Sequence, residues 1–149
     1  MVIRDLKAAQ GSFSKKEQRE VSQLNNLINH LNNREIPETL MEKIDEKLAF
    51  LNGLQEASPG YIKNLKLVKQ EILKWLKKEL ELVPEKYYTN YWTTLGMTVF
   101  GLPIGVVFFA STNNAAFIGI GLPIGLAIGS AHGASLDKKV KAENRVLKM

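Results

Sequence analysis

The sequence predicts an all-α protein: a cytosolic N-terminal bundle of about three helices, followed by a transmembrane hairpin of two helices. Three observations predict it. Residues 1–86 place apolar side chains every three or four positions, the period of an amphipathic helix. Residues 87–136, a run of 50, contain no Asp, Glu, Lys or Arg. Within that run Gly121, Gly125, Gly129 and Gly133 recur at every fourth position. The near-neutral mean hydropathy of −0.11 conceals this segregation, because every charge lies outside the run.

The first helix is expected after Ser14, which forms a capping box with Glu17 ahead of the apolar face Val21, Leu24, Leu27, Ile28 and Leu31. Asn32, Asn33 and Pro37 end it, and a second helix starts at Pro37 with Leu40, Met41, Ile44, Leu48, Leu51 and Leu54 on one face. Ser58 as N-cap and Pro59 at the first helical position start a third. It carries Ile62, Leu65, Val68, Ile72, Trp75, Leu76, Leu80 and Val83. Neighbouring charges such as Glu42 with Lys43, and Glu46 with Lys47, are expected on the solvated faces, and Tyr61 and Trp75 in the core. Val83-Pro84 marks a break before the membrane segment, since proline disfavours a helical residue before it. A straight run of the third helix into the first span is the alternative.

A hydrocarbon core of about 30 Å needs about 20 helical residues. The uncharged run therefore holds two spans, roughly residues 91–111 and 115–136, with Thr112, Asn113 and Asn114 as the turn. This divides the chain into a soluble region 1–86, a hairpin 87–137 and a basic tail 138–149. Lys74, Lys77, Lys78 and Lys86 precede the first span, and Lys138, Lys139, Lys141, Arg145 and Lys148 follow the second. The turn carries no charge, so the positive-inside rule places both termini in the cytoplasm, and the hairpin is expected in the cytoplasmic (inner) membrane. Trp92, with Tyr87, Tyr88 and Tyr91, is expected at the membrane interface, and Lys138, Lys139 and Lys141 as a topology signal or lipid contact. The opening segment MVIRDLKAAQGS lacks the apolar core of a signal peptide, so the insertion signal is expected in the C-terminal run.

Inside the spans, a four-residue glycine series makes a side-chain-free stripe on which a second helix can pack closely. Gly121, Gly125, Gly129 and Gly133 form the long stripe, and Gly101 and Gly105, with Gly96 nearby, form a shorter one. These glycines are the expected helix-packing or oligomer interface, within the hairpin or between copies. The greater length of the second stripe suggests that part of it serves self-assembly. GLPIG occurs twice, at 101–105 and 121–125, so Pro103 and Pro123 predict a kink shared by both spans. A tolerated kink explains them more simply than a hinge. His132 reads as an interfacial histidine, and His30 as a favourable charge at a helix C-terminus.

The totals exclude several functions. There is no cysteine, hence no disulfide, thiolate nucleophile or Cys-based zinc site. Residues 1–86 carry 15 basic and 13 acidic side chains, interspersed in sign, which disfavours nucleic acid as a partner. No HExxH, P-loop or GxSxG motif occurs, so an enzyme is not expected and neither is a cofactor or a metal.

The stretch YWTTLGMTVFGLPIG…FIGIGLPIGLAIGSAHGASLDKKVKAENR resembles the glycine-zipper hairpin of small bacterial membrane proteins, over about residues 87–149. The resemblance implies a homo-oligomer and, as in several such proteins, a pore. Two functions follow as expectations. One is a self-associating membrane protein whose oligomer forms a pore or perturbs membranes under the control of the cytosolic helices. The other is a membrane-anchored scaffold or adaptor without pore activity. Both use the lipid bilayer as a partner and leave the cytosolic helices to bind a protein.

Overall fold

The computed structural model describes Ile3, Leu6, residues 14–54 and residues 60–149. The expected roles of Ser58 and Pro59 fall outside these residues. Among the described residues the structure is predominantly helical, and the chain divides into two compact units, one of residues 1–84 with 147–149 and one of residues 85–146.

The first unit holds α1 (Lys15–Asn32), α2 (Glu38–Gly53) and α3 (Tyr61–Leu80). The Ser14 amide donates to Glu17 Oε2 at 2.8 Å, and the Glu17 amide donates to Ser14 Oγ at 3.4 Å, so α1 starts in the expected capping box. The apolar stripes then meet. Leu24, Leu27, Ile28 and Leu31 of α1, Leu40, Ile44, Leu48 and Leu51 of α2, and Leu65, Ile72 and Leu76 of α3 are fully buried in one cluster. Tyr61 joins them and Trp75 packs against the cluster's edge. The ion pairs run between helices rather than between sequence neighbours: Lys69 with Glu20, Lys47 with Glu71 at 2.8 Å, and Lys43 with Glu79 at 3.6 Å. Adjacent residues on a helix diverge by about 100°, so Glu42–Lys43 and Glu46–Lys47 cannot face each other.

Two features depart from continuous helix. Ile3 is buried, and the Asn32 side chain grips its backbone, accepting from the Ile3 amide at 2.9 Å and donating to its carbonyl at 3.1 Å. Asn32 therefore ends a helix and also holds Ile3, 29 residues earlier. The third helix stops at Leu80, not Val83. Glu81 takes a left-handed conformation (φ 53°), and the Leu82 amide returns to the Leu76 carbonyl at 3.2 Å. Val83–Pro84 is a short strand, β1, paired with β2 (Val146–Leu147), and Leu147 is fully buried among the leucines of this unit. A straight run of α3 into the first span is thus excluded.

The second unit is an antiparallel helical hairpin. Its first arm is α4 (Tyr87–Gly96), a π-helical turn (Met97–Gly101) and α5 (Leu102–Thr112). Its second arm is a 3₁₀ turn (Ala115–Phe117) and α6 (Ile118–Ala142). Asn113 adopts φ 50° and Asn114 Oδ1 accepts from the Ala116 amide at 3.0 Å, which closes the tip as expected of two asparagines. Both arms exceed the expected spans. The first helix starts at Tyr87 rather than 91. The second continues past Leu136 through the lysines to Ala142, so the first five residues of the expected basic tail are helix. Lysine is a good helix former and is favoured beside the helix C-terminus.

The local structure around the two prolines differs. The first arm widens into a π-turn immediately before Pro103, whereas α6 continues as one α-helix through Pro123. The two GLPIG copies are alike in sequence and different in local structure.

Candidate functional site

The interior of the hairpin is made of glycine. Between Glu85 and Val146 every buried residue is a glycine except Val140, and the glycines are Gly96, Gly101, Gly105, Gly121, Gly125, Gly129 and Gly133. All six sequence-predicted packing residues lie on this face, together with Gly96. A methyl group added to Gly105 would sit 2.5 Å from the Ile118 carbonyl oxygen, and one on Gly101 would sit 3.0 Å from the Gly121 oxygen. At Gly96, Gly121, Gly125, Gly129 and Gly133 it would come closer still, onto the carbonyls of Gly125, Gly101, Gly96, Trp92 and Tyr88 respectively. Each glycine thus directs a Cα hydrogen at a carbonyl of the opposite arm, a contact contributing about 0.5–1 kcal/mol. The whole of the long stripe is occupied within the chain, which removes the surplus length expected to serve self-assembly.

The register of these contacts explains the π-turn. Along α6 the contact positions step back by four, from Gly133 to Gly129, Gly125 and Gly121. Their partners on the first arm are Tyr88, Trp92, Gly96 and Gly101, which advance by four, four and then five. Five residues of α-helix rotate about 500°, roughly 140° out of line, so Gly101 would face away. In the π-turn the Leu102 amide reaches back five residues to the Met97 carbonyl, and the extra residue is absorbed. Gly101 and Gly105 are thereby returned to the inner face, and the two GLPIG segments pack antiparallel on each other.

The open end of the hairpin is closed by a carboxylate. Asp137 accepts from the Tyr88 amide (Oδ1, 3.0 Å) and from the Thr89 amide (Oδ2, 2.9 Å). These are unsatisfied donors of the first turn of α4, whose own N-cap, Lys86, supplies no side-chain bond. An anion at a helix N-terminus is favoured both by these bonds and by the helix dipole. Trp92 packs edge-on against His132 with centroids 4.4 Å apart, and Tyr91 packs edge-on against Trp92 at 6.0 Å. Lys138, Lys139 and Lys141 are exposed on the outer faces of α6, because Gly133, Asp137 and Val140 take the inner one.

The outside of the hairpin is apolar. Val99, Phe100, Leu102, Val106, Val107, Phe108, Ile120, Leu126 and Ile128 are all exposed by more than two fifths. Two helices, Tyr87–Thr112 and Ala115–Ala142, are long and apolar enough to cross a membrane, and only 17% of each apolar window is buried. The core helix of a soluble protein would be mostly buried. In the first unit, a groove of about 310 Å³ between α2 and α3 leaves Phe50 and Leu67 about half exposed. Among the described residues no cluster of three metal-ligating side chains occurs.

Sequence reasoning missed Asp137 as a clasp and the backbones of Tyr88 and Trp92 as glycine partners. A search for small side chains overlooks large ones that present only a carbonyl. The five-residue gap between Gly96 and Gly101, set against strict fours on the other arm, was the available signal for the π-turn.

These features define an all-helical protein with an apolar hairpin of membrane-crossing length. Compared with protein-family models, curated proteins and solved structures, the chain matches none.

Proposed function

We propose that the protein is a membrane-anchored scaffold or adaptor. Its hairpin crosses the bilayer with both termini in the cytoplasm, and its three N-terminal helices form a cytosolic bundle that binds a protein partner. The observation that carries this reading is the inverted hairpin, with glycine inside and large apolar side chains outside. In water such an arrangement would expose a continuous apolar surface with nothing buried to offset it. In lipid it satisfies every requirement, because close backbone contact, not hydrophobic burial, drives helix association there. A length of 22 uncharged residues from 115 to 136 spans roughly 33 Å at 1.5 Å per residue, close to the hydrocarbon thickness.

Two observations favour an anchor over a pore. The glycine face that would join copies is filled by the chain's own other arm. The outer surface offers apolar side chains rather than a polar lining. The half-exposed Phe50 and Leu67 supply an apolar surface for a cytosolic partner.

The test is reconstitution of the full chain in liposomes loaded with a self-quenched dye. The expected result is co-flotation with the vesicles after an alkaline wash, without dye release at any protein-to-lipid ratio. Release that rises steeply with protein density would establish the pore instead. Recovery of the protein in the wash would reject the membrane reading altogether.

A further inference from the structure

We infer that the charged end of the hairpin is a headgroup-binding belt selective for anionic phospholipids, an inference that rests on the membrane reading. Three independent features converge there. The first is position. Lys138, Lys139 and Lys141 lie on the uninterrupted helix α6, within about 8 Å along its axis of Leu136, where the uncharged length ends. Headgroup phosphates occupy that depth in a bilayer.

The second is uncompensated charge. Asp137, the carboxylate nearest in sequence, is engaged by the Tyr88 and Thr89 amides. Glu143 is paired with Arg145. Among the described residues no carboxylate lies within 4.0 Å of Lys86, Lys138, Lys139 or Lys141, and all four are exposed. With the inner face of α6 taken by Gly133, Asp137 and Val140, the three lysines of α6 are directed outward, where lipid lies.

The third is the aromatic group at the same level on the other arm. Tyr87 stacks on Tyr91 at 6.4 Å, Tyr91 meets Trp92, and Trp92 meets His132, six residues before Lys138. Amphipathic rings hold a helix at the depth of the headgroups and so fix the lysines there. The opposite end of the hairpin, Thr112 to Ala116, has no charge at all, so the preference belongs to one leaflet.

The chemistry identifies the ligand as a phosphodiester with net negative charge. A zwitterionic headgroup carries a cation that competes with the lysines. Attraction of a lysine to an anionic leaflet corresponds to about fivefold in affinity per residue at moderate salt.

The experiment places the full chain in nanodiscs of phosphatidylcholine and phosphatidylglycerol in equal parts and measures, by native mass spectrometry after release, which lipid stays bound. The expected result is retention of phosphatidylglycerol over phosphatidylcholine by at least fivefold, shrinking towards parity as salt is raised before release. Replacing Lys138, Lys139 and Lys141 together by Gln is expected to abolish the preference, and replacing them by Arg to keep it. Equal retention of both lipids by a chain that remains inserted would overturn the belt and leave the anchor standing. Failure to enter nanodiscs would overturn both. Loss of the preference when 10 mM glycerol phosphate is added would overturn the lipid as the source, and show a site for the free anion instead.

Discussion

Deletion of Thr98 is expected to leave the hairpin packed, whereas deletion of Ile128 is expected to undo half of it. Both remove one exposed residue from an apolar helix. They differ in what they do to register. Without Thr98 the spacing from Gly96 to the next glycine becomes four, the π-turn reverts to α-helix, and every inter-arm contact keeps its partner. Pro103 does not forbid this, since Pro123 sits in unbroken α-helix on the other arm. Without Ile128 the segment after it turns by about 100° relative to the segment before. Gly129, Gly133 and Asp137 then leave the inner face. Two Cα–H···O contacts at about 0.5 kcal/mol each and two bonds to a carboxylate at about 1.5 kcal/mol each are lost, about 4 kcal/mol in all. Because the chain has no cysteine, spin labels can be placed at Tyr91→Cys and Ser135→Cys, both exposed near the open end of the hairpin. A side chain reaching about 5–6 Å from the helix axis moves roughly 8 Å under that rotation. Pulsed electron resonance in liposomes should therefore give an unchanged distance for the Thr98 deletion and a broadened distance shifted by several ångströms for the Ile128 deletion. Equal disruption by both deletions would refute the register-setting role of the π-turn.

Three further outcomes follow from the same contacts. Gly125→Ala is expected to weaken the hairpin by about 1–3 kcal/mol, because the methyl group meets the Gly96 backbone. Gly119→Ala is expected to be tolerated, since nothing lies within 4 Å of that position; steric-trapping measurements in detergent would compare them. Asp137→Asn is expected to cost about 1–2 kcal/mol and to accelerate hydrogen exchange at the Tyr88 and Thr89 amides while leaving the Gly101 amide protected. In the first unit, bonds from the Ser14 backbone amide and then its hydroxyl hold the Glu17 carboxyl below its ordinary value of 4.5. A depressed carboxyl contributes its stability above the ordinary value and loses it as pH falls through the depressed one. Amide exchange in the first turn of α1 should accordingly quicken only below about pH 4.5, and Glu17→Gln should remove that dependence.

Much of this structure was legible because single rules acted alone. The capping box at Ser14, the turn at Asn113 and Asn114, and the burial of Leu24, Ile44 and Ile72 each follow from one local pattern. The fourfold glycine series required a close partner, and the contacts show it. What stayed hidden depended on pairing. Whether Gly129 met another chain or Trp92 of its own could not be read from spacing, because a carbonyl is available at every residue. The π-turn required comparing two spans for phase rather than inspecting either one. Asp137 stood at the end of the expected hairpin with no role of its own, and only the fold brings it to the amides of Tyr88 and Thr89, 49 and 48 residues earlier. The matching GLPIG motifs likewise concealed a difference, since identical sequence lies at a π-turn boundary in one arm and within an α-helix in the other.

The central claim, that the glycine-lined hairpin crosses lipid and returns, is tested most directly by two single-cysteine variants, Asn114→Cys at the tip and Lys141→Cys at the open end. Each is reconstituted in sealed vesicles and treated with a membrane-impermeant maleimide. The account expects opposite accessibility: in vesicles of one orientation, one site reacts at once and the other only after the membrane is dissolved. Immediate reaction at both sites in the same sealed vesicles would contradict it.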